Sequence, residues 1–406
     1  MIGADQAAPR PAGTKSLHAP LVLGPCSRPF QSRRRLHRPP EMSSRAARPS
    51  VSQLGEFRLI RHLRRRFGQT GRAVLRGIGD DAAVIRPSSG HALLLTTDLL
   101  AEGIHFDLRT ATFEDIGYKA AVANLSDIAA MGGRPQYMLV AVAIPASRTS
   151  SDVDRLYRGM MRACRLHKVE LVGGDTSASR HGLFLSITLT GFVQAGRVLT
   201  RDGARVGDLL YVTGTLGDSL AGLTLLESGR DRRAAASGRL NQRRRRYQSY
   251  LIDRHLHPTP RIKEGQLLAA HRLATAAIDL SDGLSGDLVH ICEQSGVGAE
   301  IETSALPLSP ACRAYAAASR LDPVRLALTG GEDYELLFSI SSGSRAKLER
   351  LARRTGCHFS RIGTVRPKRA GLRLRRVNGS SKRLAIAGYQ HFQDPRTIPH
   401  EAAWSR

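Results

Sequence analysis

No cysteine in this chain stands at a metal or redox spacing. Cys26, Cys164, Cys292, Cys312 and Cys357 form no C-x-x-C pair and no Cys/His group suited to zinc. They read as buried or idle thiols of a reducing compartment, and no zinc site is expected. No run approaches the ~18 consecutive apolar residues of a membrane span, and Leu21 to Leu23 is too short for the apolar region of a signal peptide. No lysine follows a glycine, which excludes a Walker A loop. The H-R-D and D-F-G triplets of protein kinases are missing as well. Acids are scarce: 35 Asp and Glu face 61 Lys and Arg, for a net charge of +26. Such a balance raises nucleic acid as a partner. Only seven of the 61 are lysine, however, the arginines are spread along the whole chain, and aromatics make up 5%. An Arg-favouring genome explains that pattern equally well, so no specific nucleic-acid partner is expected. A steep salt dependence of binding would say otherwise.

What is present is material for about two ordinary domains: 406 residues, 41% of them hydrophobic. Residues 1–50 stand apart, with nine basic residues against two acids and a cluster of prolines, and are expected to form a disordered basic extension. Met42 offers an alternative start, and a transit peptide is the functional alternative. An Arg-rich insert spans 230–246, where Arg243 to Arg246 are expected on a solvated helix. Elsewhere strands and helices alternate. Strands are expected at 92–97 running into Asp98, at 137–144, into Gly173-Gly174-Asp175, and at 183–193, 209–213, 276–280, 334–340 and 359–365. Helices are expected at 114–131 with a stop at Gly132-Gly133, at 152–167 capped by Ser150 or Ser151, after Gly214 and Gly217, near 261–271, from Gly283, and at 344–353. The fold class is α/β (α+β) in two domains meeting near residue 200. The boundaries are 51–197 and 198–395, with a tail at 396–406.

In so basic a chain, the placing of the acids is informative. Carboxylates recur at expected strand ends and Gly-flanked turns: Asp80-Asp81, Asp98, Asp127, Asp175, and Asp279 with Asp282. One Asp beside Gly is usually a turn or a cap, but five such sites in one context weaken that explanation. Asn124 and Asp127 are three apart on a helix and share a face. Asp279, Ser281 and Asp282 fall at a strand-to-helix junction, where Ser281 or Asp282 could also be a plain N-cap. Hard oxygen ligands without His or Cys suit Mg²⁺ and, through it, a polyphosphate substrate.

Nine ordered motifs carry a resemblance. They are G-E-F-R-L-I (55–60), G-I-G-D-D-A (77–82), T-T-D-L-L-A-E-G-I-H-F (96–106), N-L-S-D-I-A-A-M-G (124–132), V-G-G-D-T (172–176), L-T-R-D-G-A-R-V-G-D (199–208), Y-V-T-G-T-L-G-D-S (211–219), I-D-L-S-D-G-L (278–284) and T-G-G-E-D-Y-E-L (329–336). Over about residues 55 to 392 the sequence resembles the thiamine-monophosphate kinase family, within the superfamily of aminoimidazole ribonucleotide synthetase and selenophosphate synthetase. The resemblance implies the aminoimidazole ribonucleotide synthetase-like fold, with mixed sheets and flanking helices, a cytoplasmic homodimer whose N-terminal domain binds metal and ATP and forms the dimer, and an active site in the cleft between domains. It implies ATP-dependent conversion of thiamine monophosphate to the diphosphate by direct in-line transfer, with several Mg²⁺ ions and no catalytic base or nucleophile. Residue by residue, it implies metal ligands at Asp81, Thr96, Thr97, Asp98, Asp127, Asp175, Asp279 and Asp282. It places ATP at Gly174, Asp175, Arg201 and Ser281, and the thiamine moiety at His105, Glu332 and Tyr389. Gln390 departs from the family's usual G-Y-D-H-F ending. Other superfamily activities are disfavoured by the missing reactive Cys in a Gly-rich N-terminal segment and by the H-F and G-G-E-D-Y-E signatures.

Overall fold

The computed structural model describes residues 80–86, 90–228 and 242–389, with the strand at 74–76 and the single positions Arg61, Arg65 and His391. The expected extension at 1–50, the motif at 55–60, residues 230–241 of the Arg-rich insert, Gln390 and the tail lie outside the described residues.

The first half builds a six-stranded sheet in the order β1-β2-β3-β6-β4-β5, from β1 (Val74–Arg76), β2 (Ala83–Ile85), β3 (His91–Ala101), β4 (Arg134–Pro145), β5 (Glu170–Ser179) and β6 (Phe184–Gln194). Two helices cover one face, α1 (Phe113–Ala130) and α2 (Ser150–His167). The period of two in β3 puts Ala92, Leu94 and Thr96 on the covered face, and Asp98 continues that row. β3 and β5 run past the ends expected for them. Asp98 and Asp175 therefore sit inside strands rather than at turns, because hydrogen bonding to β6 and β4 continues through both.

α1 is buried on nearly all sides, and its sequence explains how. The run G-Y-K-A-A-V-A-N-L-S-D-I-A-A is rich in small residues, so backbones can close in. A Cβ added to Gly117 would lie 2.0 Å from the Leu156 carbonyl oxygen of α2, and one added to Gly159 would lie 1.9 Å from that of Glu114. A capping box between Thr112 and Asp115 starts α1, and Gly132 follows its end at φ +70°. The cap of α2 is Thr149, in a second capping box with Asp152, and not Ser150 or Ser151. Thr149 sits the three residues before Asp152 that a reciprocal box requires.

The second half forms a seven-stranded sheet in the order β13-β12-β9-β11-β7-β10-β8. Its strands are β7 (Leu209–Thr213), β8 (Ala274–Asp279), β9 (Val297–Glu302), β10 (Leu336–Ile340), β11 (Phe359–Pro367), β12 (Leu372–Arg375) and β13 (Ser381–Arg383). The helices are α3 (Asp218–Ser228), α4 (Gln242–Leu256), α5 (Ile262–Ala270), α6 (Leu284–Ser295), α7 (Pro310–Ser319), α8 (Pro323–Thr329) and α9 (Arg345–Thr355). Of these, β9, β12, β13, α7 and α8 were not expected from periodicity. Several are only three to seven residues long, too short to show a period. One apolar core runs from the covered face of the first sheet through α1 to Ala277 of β8 and Leu336 and Phe338 of β10. A second fills the other side of the larger sheet against α6 and α8. Asp127 near the end of α1 and Asp279 at the end of β8 are brought together by this stacking.

Candidate functional site

Four chain segments converge on one acidic cluster. The turn before β2 supplies Asp80 and Asp81, β3 supplies Thr96 and Asp98, α1 supplies Ser126 and Asp127, and the end of β8 supplies Asp279. One carboxylate oxygen from each of Asp81, Asp127 and Asp279 lies within 4.8 Å of the others. The Thr96 hydroxyl donates to Asp127, and the Ser126 hydroxyl to Asp279 at 2.7 Å. Arg201, from the segment joining the two sheets, grips Asp81 with two donors, Nη2 at 2.6 Å and Nε at 3.0 Å.

Burial and mutual repulsion raise Asp80, Asp98, Asp127 and Asp279. Asp127 and Asp279 are pushed well above the ordinary carboxylate range, first by desolvation and then by the neighbouring acids. Asp98 is raised to about 6 by burial and by Asp81, and Asp80 to about 7 for the same reasons, against the pull of Arg201. Five acids, Asp80, Asp81, Asp98, Asp127 and Asp279, with the Arg201 guanidinium on Asp81, form a site short of positive charge. Asn124, on the same face of α1 as Asp127, keeps its Oδ1 buried and without a hydrogen-bond partner among the described residues. The donor set is all oxygen, which fits Mg²⁺ rather than a softer metal.

The turn after β8 adds Ser281 and Asp282. Neither acts as the N-cap of α6. Gly283 holds that position without a side-chain cap, and Asp287 reaches back to accept from the Asp282 and Gly283 amides at 3.2 and 3.0 Å. Next to this turn, the loop after α8 carries Glu332, whose amide donates to the Ser281 carbonyl at 2.7 Å, and the Tyr389 amide donates to the Asp282 carbonyl at 3.1 Å. The His105 ring lies 5.0 Å from that of His391, which meets Tyr389 edge-on at 4.9 Å. His105 Nδ1 accepts from the Ala101 amide at 3.0 Å, so the neutral ring carries its proton on Nε2. Burial and His391 lower its pKa.

Two expected ligands are not brought in. Pairing registers place Asp98, Ile187, Val140 and Gly174 in one row across the sheet, on the helix-covered face, and Leu99, Ser186, Ala141 and Asp175 in the next row, on the open face. Asp175 is exposed there, about 14 Å across three strand spacings from β3. The Thr97 side chain points to the same open face, where its hydroxyl accepts from Thr188 at 3.1 Å. Gly174 has a packing reason to be glycine: a Cβ there would lie 1.9 Å from the Val140 carbonyl oxygen.

Periodicity missed Lys119, His255 and Asp287. Lys119 Nζ lies 2.7 Å from Glu332 Oε2 and 3.4 Å from His255 Nε2. A lysine in the middle of a buried helix was the available signal.

Residues 79–193 match the model of the AIR synthase related protein N-terminal domain, and residues 205–374 that of the C-terminal domain. The thiamine-monophosphate kinase of Salmonella typhimurium is 38% identical over 343 residues, covering 84% of this chain and 99% of the relative. The chain belongs to the thiamine-monophosphate kinase family. The enzyme of that name from Bacillus subtilis is 35% identical over 320 residues, covering 78% of this chain and 93% of its own length. Among solved structures, AaThiL complexed with AMPPCP and TMP superposes with a TM-score of 0.71 at 35% identity, covering 85% of this chain and all of that one. The family's two-domain α/β architecture, each domain a mixed sheet with flanking helices, is the fold described above.

Proposed function

We propose that this thiamine-monophosphate kinase transfers the γ-phosphoryl group of ATP directly to the phosphate of thiamine monophosphate on the platform of Asp81, Asp127 and Asp279, helped by several Mg²⁺ ions. The solved relative's ligands, an ATP analogue and TMP, support the pair of substrates. The observation that carries the reading is the convergence of three carboxylates within 4.8 Å beside a buried arginine. Two like phosphates repel: a pair of unit charges ~4 Å apart costs about 4 kcal/mol at an effective dielectric of ~20. Bound Mg²⁺ would supply the charge neutralisation that lets the phosphates approach. Asp81, Asp98, Asp127, Asp279 and Asp282 would hold it, with the Thr96 hydroxyl orienting Asp127. Arg201 is anchored on Asp81 and offers its remaining guanidinium edge to ATP, with Ser281 as the further ATP position; Gly174 and Asp175, three strands away on β5, do not join this site within one chain.

The acceptor oxygen is already anionic, so no base is needed. His105 could not easily serve as one, because its Nδ1 lone pair is taken and its Nε2 carries hydrogen. In the reading adopted here His105, Glu332 and Tyr389 line the acceptor pocket. A product assay with ATP and Mg²⁺ should therefore show phosphorylation of thiamine monophosphate and none of free thiamine. Glu332→Gln should raise the acceptor KM more than the KM for ATP. Comparable turnover of free thiamine, or an effect confined to ATP, would mean the acceptor site is elsewhere.

The uncovered face of the first sheet supports a homodimer. Leu99, Tyr137, Leu139 and Phe184 are 60%, 39%, 44% and 38% exposed there, a density of large apolar side chains unusual on a solvated sheet. A second copy covering this face would bring Asp175 and Thr97 into a shared site. Leu139→Glu is expected to yield a monomer in analytical ultracentrifugation, with a Tm within a few degrees of the parent. A dimer that persists would place the interface on another surface. We place the chain in the cytoplasm, in keeping with the buried free thiols of Cys164, Cys292, Cys312 and Cys357. The working domain division remains 51–197 and 198–395.

A further inference from the structure

Lys119 is one of seven lysines in an arginine-rich chain, and it is buried at 5% exposure on α1, two turns before Asp127. Its ammonium has two acceptors. Glu332 Oε2 is at 2.7 Å, and His255 Nε2, from α4, is at 3.4 Å. The lone pair of that nitrogen must face the ammonium, so the proton of the His255 ring is on Nδ1 and is directed at Ser219 Oγ, 3.0 Å away. Burial and the adjacent ammonium hold the His255 pKa down to about 3, so the ring stays neutral and can accept. The contacts thus run from Glu332 through Lys119 and His255 to Ser219, and His255 Nδ1 also stands 3.6 Å from Glu332 Oε2.

The pair is graded in depth. The lysine side chain is 6% exposed and the glutamate 28%, so the cation lies beneath and the carboxylate above, toward His105. Burial alone would raise the Glu332 pKa, but the Lys119 ammonium holds it below the ordinary value, so the carboxylate is charged. Its backbone sits at φ +62°, a left-handed conformation uncommon for a residue with a Cβ. Among the described residues Lys119 hydrogen-bonds only Oε2, so Oε1 remains for the acceptor in the reading proposed above. A buried ion pair adds little net stability over an apolar pair of similar volume. What this one does provide is orientation.

We infer that Lys119 is a positioning residue of the acceptor pocket: acting through Glu332, it pins one carboxylate oxygen so that the other is presented to the organic part of the acceptor, while His255 and Ser219 hold the ammonium in place. This rests on the reading that Glu332 lines the acceptor site. Lys119 touches neither phosphate in this role, so its influence should pass entirely through Glu332.

A double-mutant cycle on the full-length protein with Mg²⁺ tests it, with KM measured for thiamine monophosphate and for ATP in Lys119→Met, Glu332→Gln and the double variant. Lys119→Met alone should raise the acceptor KM about tenfold, the scale of one charge-assisted hydrogen bond, with the KM for ATP changed less than about twofold. In the Glu332→Gln background the same substitution should add less than about twofold, because residues acting through one another are not additive. An undiminished effect in that background, an equal rise in both KM values, or an unchanged acceptor KM in Lys119→Met would overturn the inference. An unchanged acceptor KM in Glu332→Gln alone would instead overturn the pocket assignment, and the inference with it. If Lys119→Met does not fold, His255→Leu takes its place. It should raise the acceptor KM severalfold in the parent and hardly at all with Glu332→Gln, and equal rises in both backgrounds would count against the inference.

Discussion

Asp127→Asn is expected to abolish turnover while leaving the protein folded. Asp127 projects from α1 into the repulsive field of Asp98, Asp279 and Asp81, and its main hydrogen bond is from the Thr96 hydroxyl. An asparagine keeps the shape and an oxygen to accept that bond, but removes one charge from the cation platform. Folding should not suffer. A carboxyl whose folded pKa lies above its unfolded value contributes stability only while it can stay protonated, and that contribution is lost as pH rises through the folded pKa. At neutral pH, well above the unfolded pKa, burying this carboxyl therefore costs stability whether it ionises or takes up a proton, and the neutral variant without metal should melt at or above the parent temperature. Retention of more than about a tenth of the parent kcat, a loss of under ~1.4 kcal/mol in the barrier, would remove Asp127 from the platform. A lower Tm would mean the residue serves the fold instead.

Glu335→Ala should be the most damaging single change to stability, at about 3–5 kcal/mol, the cost of leaving buried charge without its partner. Glu335 is fully buried at the start of β10. It receives two donors from Arg261, one from Arg254 at 2.8 Å and the Thr213 hydroxyl at 2.6 Å. Truncation strands two guanidinium groups, both with side chains no more than 20% exposed. Because Arg254 precedes His255 on α4, loosening that helix should also raise the acceptor KM. Urea unfolding with an unchanged m-value measures the loss directly. A loss below about 1 kcal/mol would show that water or a rearranged acid replaces Glu335 at little cost, contrary to the desolvation argument.

The motifs singled out Asp81, Asp127 and Asp279, which the fold brings together, and local rules placed most elements within a few residues. β7 was placed at 209–213 as observed, and α1 differed by one residue at each end, because capping chemistry and hydrophobic period are local properties that survive without tertiary context. The Arg243 to Arg246 run lies on an exposed helix, as its charge implied, yet the same helix carries Arg254 and His255 into buried contacts further on. Nothing local distinguishes its two ends. Asp98 and Asp175 look alike in sequence, each an Asp in a short Gly- or Thr-rich motif. Only strand register separates them, by putting one on the helix-covered face and the other on the open face, since side chains alternate and a single-residue offset inverts the side. Lys119 likewise had no partner in its own motif. Glu332 lies 213 positions away, and an ion pair at that separation depends on how α1 is stacked against the second sheet. The sequence by itself determined the family, the chemistry of the acids and the course of the longer elements. The tertiary structure decided which acids share a site, which face of the first sheet is left uncovered, and which lysine holds Glu332, because those depend on distances between segments that no local period encodes.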